Sequence, residues 1–269
     1  MKKRLQSAAK WLRRQGPKLG LLAFVLLLLA WGLTAFFLDD IARHYLNKFT
    51  ANTNVRLQYK NSRVGTSTIE VYDAVLTAPD GEEYYATALL FAAGRWGNGT
   101  GIYNYQAESD KLITDLRHRE LITGPTSAGE KTAGAMFHPD KKMVRFTPDT
   151  EIGEHTDPSY HLPAFYEVWA RYGPEKDRSF WKEAAAASRD YFPRAAHPVT
   201  GLTPDYSEFD GRPWGTPWNQ RATNFVADAW RTAMNWSVDW AWWHADPREL
   251  ELSARLLAFF KSQGMTSYS

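Results

Sequence analysis

The 269-residue chain contains no cysteine. Disulfides, thiolate zinc sites, iron–sulfur clusters and cysteine nucleophiles are thereby excluded together. An extracytoplasmic location is not excluded, because a chain of this length can be stable without covalent staples. Also absent are an HExxH pair, a GxSxG elbow, a P-loop and a dinucleotide fingerprint; the Gly97/Gly99/Gly101 run follows a helical pattern rather than a strand. The seven histidines are not spaced as metal ligands, His155 and His161 being six apart. They read as structural, and the sequence calls for no metal and no cofactor. Acidic residues are missing from positions 1–38, which carry seven basic side chains (Lys2, Lys3, Arg4, Lys10, Arg13, Arg14, Lys18). The rest then holds 25 basic against 30 acidic residues, about −5, which argues against a nucleic-acid partner.

What is present points first to a membrane. Residues 19–38 (LGLLAFVLLLLAWGLTAFFL) run for twenty positions without a charge. At 1.5 Å per residue this covers about 30 Å, the hydrocarbon thickness of a bilayer. Basic residues precede the run and Asp39–Asp40 follow it, which predicts the N-terminus inside and the globular part outside the cytoplasm. A cleaved signal peptide would have a shorter apolar region and a small-x-small site, and neither is found. The expected partner of this segment is membrane lipid, and the expected location is membrane-anchored with an extracytoplasmic domain.

The remainder divides by texture. Residues 39–77 form a juxtamembrane stretch with β alternation at Val55, Leu57, Tyr59 and again over 68–72, broken at Asn61-Ser62 and Gly65. From Asp80 the pattern is helical. Helices are predicted at 82–96, 104–122, 160–172, 178–192, 221–244 and 247–262, with a hairpin at 134–148 around Pro139-Asp140. The composition, 44% hydrophobic and 23% charged, is that of a chain that buries a core. Ten of its twelve tryptophans lie between Trp96 and Trp243, within this helical part.

Carboxylates among aromatics are the remaining chemistry. Aromatic faces stack on the C–H faces of sugars, and carboxylates bind hydroxyls and move protons, so a surface lined by both suits a carbohydrate. The same rings also serve as helical core. Asp80, in Ala78-Pro79-Asp80-Gly81, stands just before a helix and reads as an N-cap. Asp228 falls inside the 221–244 pattern with Arg231 one turn on, between Phe225 and Trp230. On an exposed face that pair contributes only a few tenths of a kcal/mol. Among aromatic neighbours it is partly buried, and Arg231 then keeps Asp228 ionised, as a general base requires.

Five stretches carry a family resemblance: APDGEEYYATALLFAAGRWGNGTGIYNY (78–105), DPSYHLPAFYEVWA (157–170), FWKEAAAASRDYF (180–192), HPVTGLTPDY (197–206) and FVADAWRTAMNWSVDWAWW (225–243). Together residues 78–269 resemble glycoside hydrolase family 8, and within it the reducing-end xylose-releasing exo-oligoxylanases. The resemblance implies a six-hairpin (α/α)6 barrel and inverting hydrolysis of β-1,4-xylo-oligosaccharides, in which a carboxylic acid protonates the leaving oxygen and a carboxylate activates water. By motif, Asp228 matches the general base, Arg231 its companion, and Asp80 the aspartate that holds and distorts the sugar. Tyr160 matches a tyrosine near the water, with Tyr166 as the alternative, and Trp96 is a further substrate-binding candidate.

The general acid has no match. Family members carry it in Ser-Glu-Gly-x-Ser-Tyr-Gly ahead of the Asp80 motif, and no glutamate here is followed by glycine. The sequence ends at Ser269 within a segment that resembles the family's continuing helices. The expectation is thus a mainly α, incomplete (α/α)6 barrel behind a basic tail (1–18), a transmembrane helix (19–38) and a short β segment (39–77). Exposed helix faces would favour self-association. Its function is impaired xylo-oligosaccharide hydrolysis or, alternatively, non-catalytic carbohydrate binding or scaffolding at a membrane.

Overall fold

The structure is a computed structural model that describes residues 79–264, except 127–128, and four short strands ahead of them. Residues 19–38, the predicted membrane helix, lie outside the described residues. No helix among the described residues is long and apolar enough to cross a membrane. The chain divides into two units, 1–76 and 77–269.

Ahead of the helices the predicted β texture forms strands β1 (Arg56–Gln58), β2 (Asn61–Val64), β3 (Ile69–Tyr72) and β4 (Val75–Thr77). β2 and β3 pair antiparallel with Asn61 opposite Tyr72 and Val64 opposite Ile69, and β1 pairs with β4.

The second unit is mainly helical: α1 (Pro79–Trp96), α2 (Tyr105–His118), α3 (Pro163–Tyr172), α4 (Arg178–Ala195), α5 (Trp230–Trp243) and α6 (Arg248–Ser262). Local chemistry starts them. Asn104 caps α2 by accepting from the Ala107 N–H at 3.2 Å. Pro163 opens α3 at a position whose N–H would be unpaired in any helix. α1 packs on α2 and α3, α3 on α4 and α5, and α5 on α6. Trp169 of α3 and Trp181 of α4 meet edge to face at 4.7 Å, and Phe137 approaches Trp181 at 4.8 Å; all three are buried. A second cluster joins Tyr191, Phe192, Trp236 and Leu252. Truncating either core tryptophan to alanine removes about 3–5 kcal/mol.

Three expectations are corrected. The helix predicted from 221 begins only at Trp230, because Asn224 and Val226 are extended and Ala227 has a φ of +46°. Two 3-10 turns, Gln220–Thr223 and Ala227–Ala229, fill the interval. The predicted hairpin at 134–148 reduces to one bridge between Phe137 and Val144, closed by His138 N–H donating to Met143 O at 2.9 Å. The regular hairpin lies just upstream, β5 (Ile122–Thr126) against β6 (Gly129–Ala133), where a helix running to 122 had been expected.

Candidate active site

Helix α1 sets the first carboxylate. Asp80 sits in its first turn, one residue inside rather than before it, and its Oδ1 accepts the Gly81 N–H at 3.0 Å. The second carboxylate, Asp228, belongs to the 3-10 turn that leads into α5. Arg231, in the first turn of α5, joins the two. Its Nη1 donates to Asp80 Oδ2, and its Nη2 donates to Asp228 Oδ2 at 2.7 Å and to Ser159 Oγ at 3.3 Å. One guanidinium thus fastens three segments that are far apart in sequence. Despite partial burial, bonding to Asp80 and the charges of Asp80 and Asp228 hold Arg231 above its ordinary pKa.

The third segment is the turn Pro158–Tyr160. Asp157 begins it by accepting the Ser159 N–H at 2.7 Å, and Asn235 of α5 donates to Ser159 O at 2.7 Å. Tyr160 is buried, with the Arg231 guanidinium 5.8 Å from its ring centre. Burial and the charges of Asp157, Asp80 and Asp228 raise its phenol pKa.

Beneath this layer lie carboxyls that the sequence reading did not single out. Asp205 accepts the Asp228 N–H at 3.1 Å. Burial lifts its pKa to about 6; the Asp228 N–H pulls it down and the Asp228 charge pushes it up. Asp157 is raised well above the carboxylate range by burial, against its bond from Ser159 and with the charge of Asp205 adding. Glu83, one turn along α1, is likewise raised by burial and by Asp80. Asp157 and Asp205 were visible only as members of quoted motifs, Asp-Pro-Ser-Tyr and Thr-Pro-Asp-Tyr, in which nothing distinguishes a buried carboxyl from an exposed one.

The exposed fractions sort the roles. The side chains of Asp80 and Asp228 are 20% and 39% exposed, whereas Asp157, Asp205 and Glu83 are buried. Two carboxylates therefore face solvent beside one cation, above carboxyls whose pKa values burial raises. Ala227, immediately before Asp228, is a non-glycine residue in the left-handed region, a conformation that costs on the order of 1–3 kcal/mol and survives where neighbours enforce it.

The other predicted residues fall elsewhere. Tyr166 is core: its hydroxyl donates to Glu83 Oε2 at 3.2 Å, one layer below Asp80. Trp96 does not join the cluster. It ends α1, sixteen residues from Asp80 or about 24 Å at the helical rise, and is 73% exposed beside Tyr105. His161 bridges Thr156 Oγ1 and Ser188 Oγ at 3.0 Å, and His155 stacks on Phe146 and lies tilted against Trp214, with burial lowering its pKa to about 4. No three metal-ligating side chains converge among the described residues. Two cavities, of about 790 and 550 Å³, are lined by neither Asp80 nor Asp228; the larger borders Phe91, Val168 and Trp242, and the smaller borders Pro204 and Phe225 in the loops beside Asp205 and Asp228.

The sequence model of glycosyl hydrolases family 8 matches residues 22–267. The chain belongs to glycosyl hydrolases family 8. The family match reaches further upstream than the motifs beginning at residue 78. Among curated family 8 relatives, the chain is 43% identical over 191 residues to the reducing-end xylose-releasing exo-oligoxylanase Rex8A of Paenibacillus barcinonensis, covering 71% of this chain and 47% of that protein. It is 26% identical over 228 residues to endoglucanase C of Ruminiclostridium cellulolyticum, covering 84% and 43%. The solved family 8 xylobiose complex from Teredinibacter turnerae is similar at 57% identity and a TM-score of 0.69, covering 71% of this chain and 48% of that one. The chain spans about half the length of the curated relatives it matches.

Proposed function

We propose that the surface around Arg231 binds β-1,4-xylo-oligosaccharides and that Asp228 is the base of an inverting hydrolysis releasing xylose from the reducing end. The observation that carries the reading is the Arg231 bridge between Asp80 and Asp228, which sets two partly exposed carboxylates on one surface. In this role Arg231 holds the Asp228 carboxylate in place and Asp80 grips the sugar at the cleavage point, while Tyr160 lies buried behind the Arg231 guanidinium. Trp230, two residues after Asp228 in the chain and 58% exposed, offers a ring for stacking. The name and 43% identity of the Paenibacillus relative support the substrate class. In the same reading the helical unit is part of an (α/α)6 barrel, and residues 19–38 anchor it to a membrane with the domain outside the cytoplasm. Exposed apolar helix faces such as Phe91 and Trp242 support self-association.

Proton donation limits the rate. A sugar alkoxide leaves poorly without a proton, and acid–base assistance contributes about 10²–10⁴-fold. No residue matches the donor motif, and the glutamates nearest Asp80 are occupied: Glu82 pairs with Arg119 at 3.2 Å and Glu83 is buried under Tyr166. This favours sugar binding with slow turnover. Xylotriose hydrolysis and calorimetric titration with the same sugar test the reading. Expected are measurable binding, turnover well below about one per second, and loss of that turnover in Asp228→Asn with binding retained. Absence of binding overturns the site. Turnover at ordinary enzyme rates overturns the missing donor.

A further inference from the structure

We propose that Asp205 is a positioning residue whose side chain holds the strained turn Ala227–Ala229, and with it the Asp228 carboxylate, in the orientation that faces the sugar. The inference rests on the reading of Asp228 as the base. Its ground is the way one loop is stapled along another. The Asp205 N–H donates to Asn224 O at 3.0 Å, and the Tyr206 N–H donates to Ala222 O at 2.9 Å. Thr203 Oγ1 donates to Ala229 O at 3.2 Å on the far side of the turn. Between these anchors the Asp205 carboxylate accepts the Asp228 N–H at 3.1 Å, one residue after Ala227 enters the left-handed region. A strained backbone persists only where its surroundings over-determine it, and the bond to Asp205 is the tether on the residue that does the chemistry.

Asp205 itself is buried and presents no edge to a substrate. It faces Asp228 and Arg231 at the start of α5, Asp157 before the Pro158–Tyr160 turn, and Tyr206 in its own loop. Two of these neighbours are acidic and one is basic. Burial brings its titration to about pH 6, so the tether changes strength within the working range of a hydrolase. Below that pH a neutral carboxyl is the weaker acceptor.

Two measurements on the full chain test this. In 15N-labelled Asp228→Asn, where residue 228 has no carboxyl of its own, its amide proton is expected to move downfield as pH rises through about 6. The midpoint lies slightly lower than in the native chain because the neighbouring charge is gone. Adding Asp205→Asn is expected to flatten that titration. A flat amide without the second substitution overturns the proposal. In xylotriose hydrolysis, Asp205→Ala is expected to lower kcat about 10²-fold with KM within about twofold, the effect of misplacing a catalytic group by about an ångström. Asp205→Asn keeps an acceptor and is expected to recover most of kcat. Unchanged kcat in Asp205→Ala overturns the proposal, as does an equal loss in both variants. A native chain that does not hydrolyse xylotriose fails the functional reading, while the amide titration still decides what Asp205 holds.

Discussion

Arg231 and Arg189 are both held between two carboxylates, yet one cluster opens to solvent and the other is closed. Arg231 joins Asp80 and Asp228, each with an exposed edge. Arg189 of α4 forks onto Asp239 of α5, with Nε to Oδ2 at 2.7 Å and Nη2 to Oδ1 at 2.9 Å, and reaches Glu167 of α3 at 2.8 Å. Asp239 is fully buried, and Glu249 of α6 stands behind it. Hydrogen bonding to carboxylates outweighs burial and raises both guanidinium pKa values. The bonding chemistry is alike, so what separates the two clusters is access to solvent. A carboxylate with a solvent edge can take a proton from a bound water, whereas one enclosed by three helices can only fix their packing.

The largest effect that would sharpen this contrast is in the closed cluster. Arg189→Ala leaves the Asp239 charge uncompensated inside the core, and the expected loss of stability is about 3–5 kcal/mol. Chemical denaturation measures it. The fraction that remains folded is expected to bind xylo-oligosaccharide with unchanged affinity, since none of the Arg189 partners touches the Asp80–Asp228 surface. A stability loss under about 1 kcal/mol would break the comparison from that side.

Arg231→Ala is the counterpart. Its partners keep access to water, so the stability loss is smaller, about 1–2 kcal/mol after discounting for exposure. The functional loss is expected to be larger: about 10²-fold or more in xylotriose turnover, because Asp80 and Asp228 then repel each other and no longer share an anchor. Arg231→Lys supplies charge without the fork and is expected to fall between the two. Equal losses of stability in Arg231→Ala and Arg189→Ala would show that exposure does not separate the clusters.

The two clusters differ in how far the sequence reveals them. Asp228 and Arg231 lie three residues apart, and their pairing follows from helical spacing even though the helix starts after Asp228 rather than before it. Asp80 is 151 residues from Arg231, and only the family motifs suggest that they meet. Nothing in the pattern brings Arg189 to Asp239, fifty residues on, or marks Asp205 as the support for Asp228. Tertiary packing made those pairs. Periodicity located six helices, but it ran through the break at Ala227, because a backbone forced into a left-handed turn by its neighbours leaves no trace in local composition. Trp96 shows the converse: a motif neighbour in sequence lies far from Asp80, because the helix sets them sixteen residues apart.

The effect with the clearest sign concerns Glu249. It is buried behind Asp239, and its two oxygens have no donor among the described residues. Burial first, then the Asp239 charge and a bond to Asp239, raise its pKa to about 9 against the pull of Arg189. That bond exists only when Glu249 carries the proton, since two carboxylates have no hydrogen to share. A carboxyl raised in the folded state keeps its proton while the unfolded chain loses one above its model value of 4.5. The folded chain then binds more protons, so stability falls as pH rises, by up to about 1.4 kcal/mol per unit for this one group. The fall begins above about 4.5 and levels off beyond about 9, where both states are ionised. Glutamine resembles the protonated acid in shape and can donate to Asp239. Glu249→Gln is therefore expected to be no less stable than the native chain at pH 5 and more stable at pH 9. Thermal unfolding at those two pH values measures the difference. A native chain whose stability holds level across that range, or a variant whose advantage does not grow with pH, would show that Glu249 is ionised in the fold and that Arg189 balances it as Arg231 balances Asp228.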